Sequence, residues 1–378
     1  MILYLFIFIL CLFLAISQNC RLAYCGDSSR AFCSNNNDAK KVCFVLFILA
    51  CVVGFRYELG GTDYDYYGYF YRKISGYNDY FTALADSEYE IGYTTFVYLC
   101  SNFLHLSFNG SLLLEAFIFY ILMYVGLKRY IPNWGILFML FLYKMFFYVT
   151  FVAMRQSMTV AGFFLILKYL EERKILKYYA SLMLVSSFHY GALLLFVLYP
   201  IFSLKITKKR LLVIGLVFLL SSVFSGLTGS LLNVVISVLG FSQLEDKAAG
   251  YSTDSYLSIL YTVEYYLLYI LLLSNYDKIK QKFEYTDFSI RLFLIAMPMV
   301  TLFRSTIILV RELYYFYPSY AILMCYIYSV SKHRKLWFSI FTILCLFGMI
   351  RYIIYFDNGH FMIYKTWLLN PTIHFFQS

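Results

Sequence analysis

The feature that most constrains this chain is the recurrence of long apolar stretches almost empty of charge. Residues 1–17, 42–55, 109–127, 134–152, 211–226, 257–274, 288–303, 312–330 and 336–356 are mostly near the roughly 20 residues that cross a bilayer core as a helix. A soluble domain is about half apolar and about a quarter charged. This chain of 378 residues is 62% apolar and 14% charged, with a mean hydropathy of +0.70. Lipid must therefore cover much of its surface. The expected fold is all-α, a polytopic membrane bundle of about 10–12 hydrophobic segments, some re-entrant or broken. No repeat and no Pro- or Ser-rich linker divides it, so 1–378 reads as a single transmembrane domain. Residues 1–17 lack the basic start and small-residue cleavage site of a signal peptide and read as the first membrane helix.

A net charge of +10 would point to nucleic acid in a soluble protein. Here the basic residues sit in short connections, where they orient the chain instead and mark cytoplasmic loops. Those runs are Lys40-Lys41, Lys128-Arg129, Arg173-Lys174 with Lys177, Lys205 with Lys208-Lys209-Arg210, Lys278 to Lys282, and Lys332 to Lys335. The segment 56–90 is acidic, carrying Glu58, Asp63, Asp65, Asp79, Asp86, Glu88 and Glu90, and is expected to form the main outer-facing loop. Of nine cysteines only Cys20, Cys25 and Cys33 lie close together, without zinc spacing; they read as free cytoplasmic thiols, the alternative being a disulfide if that loop faces outward.

With the basic loops inside, the stretches 134–170 and 178–204 each begin and end at basic runs, so each must go in and come back. The first has room for two crossings of about eighteen residues, with Met154-Arg155-Gln156 near the outer turn. The second is too long for one crossing and short for two. Two half-helices of about twelve residues reach ~18 Å each, and the break falls at Phe188-His189-Tyr190-Gly191. Irregular backbone at that depth needs a polar cavity or surrounding protein. His189 is thus expected on the floor of an outward cavity, with Arg155 near its rim. Residues 288–330 form a further hairpin whose outer turn carries Arg304, Arg311 and Glu312, and 241–256 and the tail after Phe356 also lie outside. The stretch 91–127 must make an odd number of crossings to satisfy the flanking charges, with part of 91–108 expected along the interface or as a re-entrant segment.

Ionisable groups in a membrane are costly, so their positions are informative. The Arg155 guanidinium offers a fork of donors matched to phosphate oxygens; alternatively it snorkels to headgroups. His189 has no second histidine at ligand spacing, which argues against zinc. It is either a satisfied core histidine or a general base. In Phe55 to Arg72, Thr62 with Asp65 three residues on reads as a capping box that starts a helix. The alternative is that Asp63-Tyr64-Asp65 supplies a base or an acidic cluster while tyrosines offer faces to a sugar. Lys144 and Glu264 are expected to pair with each other or with Glu115, and Glu312 with Arg311 as a rim ion pair. No P-loop or GxSxG pattern is present, so the substrate must already be activated.

Taken in order, these segments resemble the EpsG family of Wzy-like polysaccharide polymerases. The stretches are Phe55-Arg56 through Gly61-Thr62-Asp63-Tyr64 and Tyr67, then Glu90-Ile91-Gly92-Tyr93, then Ala153-Met154-Arg155-Gln156-Ser157. Lys177-Tyr178 then leads to Phe188-His189-Tyr190-Gly191-Ala192-Leu193-Leu194, and Arg311-Glu312-Leu313-Tyr314-Tyr315-Phe316 follows. No family signature is evident between 211 and 287. The resemblance implies a GT-C-like membrane glycosyltransferase in the bacterial cytoplasmic membrane. It would join oligosaccharide repeat units carried on undecaprenyl diphosphate, with its active site facing the periplasm or exterior. It implies catalytic roles for Arg155, His189 and Asp63, with Arg304 or Arg311 assisting at the diphosphate. Arg56, Glu58, Asp65, Tyr67, Gln156 and Tyr190 would contact substrate. No cofactor or metal is expected and no nucleic acid, while membrane lipids, a chain-length regulator and a flippase of the same pathway are expected partners. A flippase for lipid-linked oligosaccharide and an O-antigen-ligase-type transferase are the alternative functions.

Overall fold

The structure, a computed structural model, describes residues 1–24, 36–226, 257–370 and 374–376. Cys25, Cys33 and the segment 241–256, for which the sequence carries expectations, lie outside the described residues. Among the described residues the chain is helical, without strands beyond two isolated bridges. It is an all-α membrane bundle.

The helices are α1 (Ile2–Tyr24), α2 (Asn36–Gly54), α3 (Thr62–Ser75), α4 (Tyr80–Ala85), α5 (Ile91–Tyr98), α6 (Phe108–Leu127), α7 (Trp134–Lys144), α8 (Met154–Glu171) and α9 (Ile175–Ser186). They continue with α10 (Leu198–Ile201), α11 (Lys208–Ser221), α12 (Ile259–Lys282), α13 (Thr286–Val300), α14 (Ile307–Val310), α15 (Tyr317–Val330) and α16 (Arg334–Tyr355). Among the described residues three stretches are long and apolar enough to cross a membrane: Ile2–Asn19, Phe108–Leu127 and Arg334–Tyr355. At 1.5 Å per residue the 20 residues of α6 rise about 30 Å, the thickness of a hydrocarbon core.

The chain divides into two compact units, Met1–Ile201 with Lys335–Ser378, and Phe202–Arg334. In the first, α6 packs against α2 and α8, α1 against α7, and α8 against α9. The stretch 134–170 is two helices, and the turn between them is a π-helical turn, Tyr148–Val152, that ends one residue before α8 begins. Its aromatic side chains hold it in place: Phe151 sits edge-on to Phe146 at 5.2 Å and to Phe361 at 5.3 Å. The stretch 91–127 begins with the eight-residue α5, too short to cross, followed by a π-helical turn and then by α6 alone.

The stretch 178–204 is broken where the sequence places the break. The twelve-residue α9 stops at Ser186, His189 is extended, and a 3₁₀ helix runs from Tyr190 to Val197 into α10. The two arms fold back on each other. Tyr178 donates its hydroxyl to the Leu195 carbonyl at 2.7 Å, and Tyr179 to that of Phe196 at 3.3 Å. Neither arm, at ~18–22 Å, spans the hydrocarbon core.

The helix expected from Thr62 exists, but the capping box does not. Gly61 is the N-cap, at φ 63°, and no side chain caps the helix. The physical reason lies in Gly60 and Gly61, whose positive φ values of 141° and 63° turn the chain sharply into α3. A Cβ on Gly60 would also come within 2.5 Å of the Phe151 carbonyl oxygen, so the turn fits only a glycine. The stretch before it is held by the C-terminal segment. Tyr57 N–H donates to the Lys365 carbonyl at 3.0 Å and Trp367 N–H to the Phe55 carbonyl at 3.2 Å.

In the second unit, α12 packs against α13 and α15, with Tyr265 stacked on Phe293 at 5.4 Å and Phe283 on Tyr326 at 4.0 Å. Glu312, expected at a rim, is buried at 3% exposure in a short 3₁₀ turn, Arg311–Tyr315.

Candidate functional site

Three separate pieces of the first unit meet at one carboxylate. Glu90 occupies the N-cap position of α5, in extended conformation, yet its side chain makes no cap hydrogen bond. It turns instead toward the start of α8 and the break after α9, where it is 6% exposed. Arg155 Nη1 donates to Glu90 Oε2 at 2.5 Å. His189 Nδ1 lies 3.2 Å from Glu90 Oε1, and the Tyr190 backbone N–H donates to the same oxygen at 3.3 Å.

Each partner is positioned by local structure. Arg155 is the second residue of α8, directly after the π-helical turn, so its side chain emerges at the positive end of that helix. Its Nε donates to the Tyr67 hydroxyl at 3.4 Å, and its guanidinium lies 4.1 Å from the centre of the Tyr89 ring. Among the described residues Arg155 Nη2 makes no hydrogen bond. His189 is placed by the helix break, which is clamped to α5: the Gly92 N–H donates to the Ser187 carbonyl at 2.8 Å. A Cβ on Gly92 would lie within 2.8 Å of that same carbonyl group, so the approach requires glycine.

The electrostatics favour a fixed anion among three donors. Burial by itself pushes the Glu90 carboxyl up. The hydrogen bond to His189 and the charge and hydrogen bond of Arg155 outweigh it and hold the group at about 2. Burial likewise pushes the Tyr67 hydroxyl up to about 12, so it stays protonated. Glu90 is therefore ionised across the physiological range. A carboxylate oxygen can only accept here, so His189 donates through Nδ1–H, the arrangement by which a carboxylate orients an imidazole and leaves Nε2 turned away from it. The His189 and Arg155 side chains remain 29% and 22% exposed, so both can be reached from outside the cluster.

The residues expected from the sequence fall into four groups. Arg155, His189, Tyr67 and the backbone of Tyr190 gather around Glu90, while the Tyr190 side chain is 60% exposed. Asp63, half-buried in the first turn of α3, is near enough for its charge to be felt at Tyr67 and Tyr89. Glu58, Asp65, Gln156 and Arg56 lie elsewhere. Glu58 pairs with Lys365 at 3.0 Å on the surface, Asp65 is exposed, and Gln156 is 3% exposed within α8. Arg56 is 1% exposed, donates to the Val53 carbonyl at 2.7 Å, and lies in the field of Glu115, itself in contact with Ser157. Arg304 and Arg311 belong to the second unit, where Arg304 Nε donates to Ser225 Oγ at 3.1 Å.

Glu90, the hub, is the residue that site reasoning on the sequence left out. Its signal was an acidic residue directly before an apolar helix, in the run Glu90-Ile91-Gly92-Tyr93. Among the described residues no group of three or more histidine, cysteine, aspartate or glutamate side chains is arranged to hold a metal.

Comparison with known proteins finds no match among curated proteins and none among solved structures. The profile of the EpsG family matches residues 41–366, which include α3, α5, α8 and the break after α9. With that match spanning most of its length, the chain belongs to the EpsG family.

Proposed function

We propose that this protein is a polysaccharide polymerase that joins oligosaccharide repeat units carried on undecaprenyl diphosphate, at the outer face of the cytoplasmic membrane. Membership of the EpsG family supports the polymerase reading. The observation that carries the reaction centre is the Arg155–Glu90–His189 cluster: a phosphate-binding cation and a potential base held together at a helix break.

The donor arrives activated, because its anomeric carbon is bonded to a diphosphate oxygen. In the transfer step that C–O bond breaks, a new glycosidic bond forms to a hydroxyl of the next lipid-linked unit, and the lipid diphosphate leaves with the bonding electrons. Arg155, through Nη2 and the positive end of α8, stabilises the charge that grows on the leaving diphosphate. His189 Nε2 accepts the proton of the attacking hydroxyl. Glu90 orients both. Tyr67 and Tyr89 brace the guanidinium, while Asp63 and the exposed Tyr190 ring line the approach for sugar. Membrane lipids surround the site, and a chain-length regulator and flippase are its proposed pathway partners.

The experiment is reconstitution of the purified protein with defined lipid-linked repeats and a gel ladder of product lengths. The wild type extends the ladder, whereas R155A and H189A, at equal membrane levels, leave single units. Unchanged ladders in both variants would refute the assignment. Movement of intact single units across the bilayer, without any ladder from the wild type, would make the protein a flippase instead.

A further inference from the structure

Arg56 has no place in the cluster at Glu90, and its surroundings pose a separate question. A cavity of about 10 Å³ lies between α2, α6 and the start of α8, lined by Arg56, Glu115, Tyr120, Thr150 and Ser157 among apolar neighbours. That is room for about one water molecule. The groups facing it are incompletely satisfied. Arg56 is 1% exposed and its Nε–H has no partner; Tyr120 is 2% exposed, and its hydroxyl lies against Thr150 without a hydrogen bond of good geometry. Ser157 Oγ is 3.0 Å from Glu115 Oε1 and 2.6 Å from the Met154 carbonyl, and its single proton serves one of them at a time. Thr150 donates to the Phe146 carbonyl at 2.5 Å. A buried guanidinium N–H and a phenol thus face, beside the Glu115 carboxyl group, a space of one water, in a fold where orphaned polar groups are strongly unfavourable.

We propose that this cavity is a binding site for one ordered water molecule, which accepts from Arg56 Nε–H and Tyr120 O–H and donates to Glu115. The water completes a hydrated ion pair, Arg56 with Glu115, beneath the first turn of α8. It fixes Ser157, two residues beyond Arg155, independently of what the outer site binds. Arg56 is then a structural cation of the bundle and not a substrate ligand.

The test is a cryo-EM map of the full chain in lipid nanodiscs, at a resolution that shows ordered waters elsewhere on the protein. Density is expected within about 2.6–3.2 Å of Arg56 Nε and Tyr120 Oη; an empty cavity overturns the proposal. A second measurement is the melting temperature of Y120F, a variant that removes one oxygen and should fold. In a hydrated cavity the water loses a partner and Tm falls by about 2–4 °C. In a dry cavity the same change deletes an orphan hydroxyl and raises Tm, and that result also overturns the proposal.

Discussion

Replacing Glu90 by Gln tests the site most directly, because the variant keeps the shape and one acceptor oxygen while removing the charge. A carboxyl held at about 2 against its ordinary 4.5 favours its ionised form by roughly 3 kcal/mol, at about 1.4 kcal/mol per pH unit. Arg155 and His189 are 22% and 29% exposed, so solvent screens part of that attraction, leaving about 2 kcal/mol. It is divided between the hydrogen bond from His189, the largest single cause of the lowering, and the charge and hydrogen bond of Arg155. A double-mutant cycle of E90Q, R155Q and the combined variant, followed by denaturant titration in detergent micelles, should therefore give a coupling of about 1–2 kcal/mol. The same E90Q protein replaces the carboxylate that orients His189 by a neutral amide, a weaker acceptor. Its polymerisation rate should drop on the order of 10²-fold, at the lower end of what a positioned base contributes. Additive stabilities within about 0.5 kcal/mol, with an unchanged rate, would refute the view that Glu90 organises the site.

Three further outcomes are expected. Because Glu90 has a lowered pKa in the folded protein, its contribution to stability is complete above about pH 4.5 and is lost as pH falls toward about 2; acid unfolding curves of wild type and E90Q should converge in that window, and curves that stay parallel through it would contradict the assignment. The Glu58–Lys365 pair is about half exposed on both sides, so E58Q should change stability by less than about 0.5 kcal/mol and leave the product ladder intact; a lost ladder would restore Glu58 as a substrate group. Polymerisation should persist in chelator, since the proposed step uses only Arg155 and His189; loss of the ladder that magnesium or manganese restores would bring a metal into the mechanism.

Much of the fold was legible in one dimension. Apolar length alone separates a stretch such as Phe108–Leu127, which can cross a membrane, from the twelve-residue arms on either side of His189, which cannot. The requirement that buried backbone be hydrogen-bonded makes the break expected at Phe188-His189-Tyr190-Gly191 a natural place for function from the sequence alone. Arg155 and His189 were visible for the same reason: a charge or imidazole next to an apolar run is costly, and the cost appears in the sequence as an anomaly.

What the sequence could not decide was which of its many charges meet. Glu90 is 65 residues from Arg155 and 99 from His189, and no local pattern distinguishes a carboxylate that caps α5 from one that turns inward. Arg56 shows the converse. By position it opens the outer loop and reads as a substrate group, yet the C-terminal segment pairs across it and the packing of α2 on α6 buries it beside Glu115. Hydrophobic length and helix breaks follow from residues that are neighbours in the chain, so the sequence by itself determined the bundle and its broken segment. The partners of each charge follow from distances of a few ångströms between remote segments, and only the tertiary structure decided those.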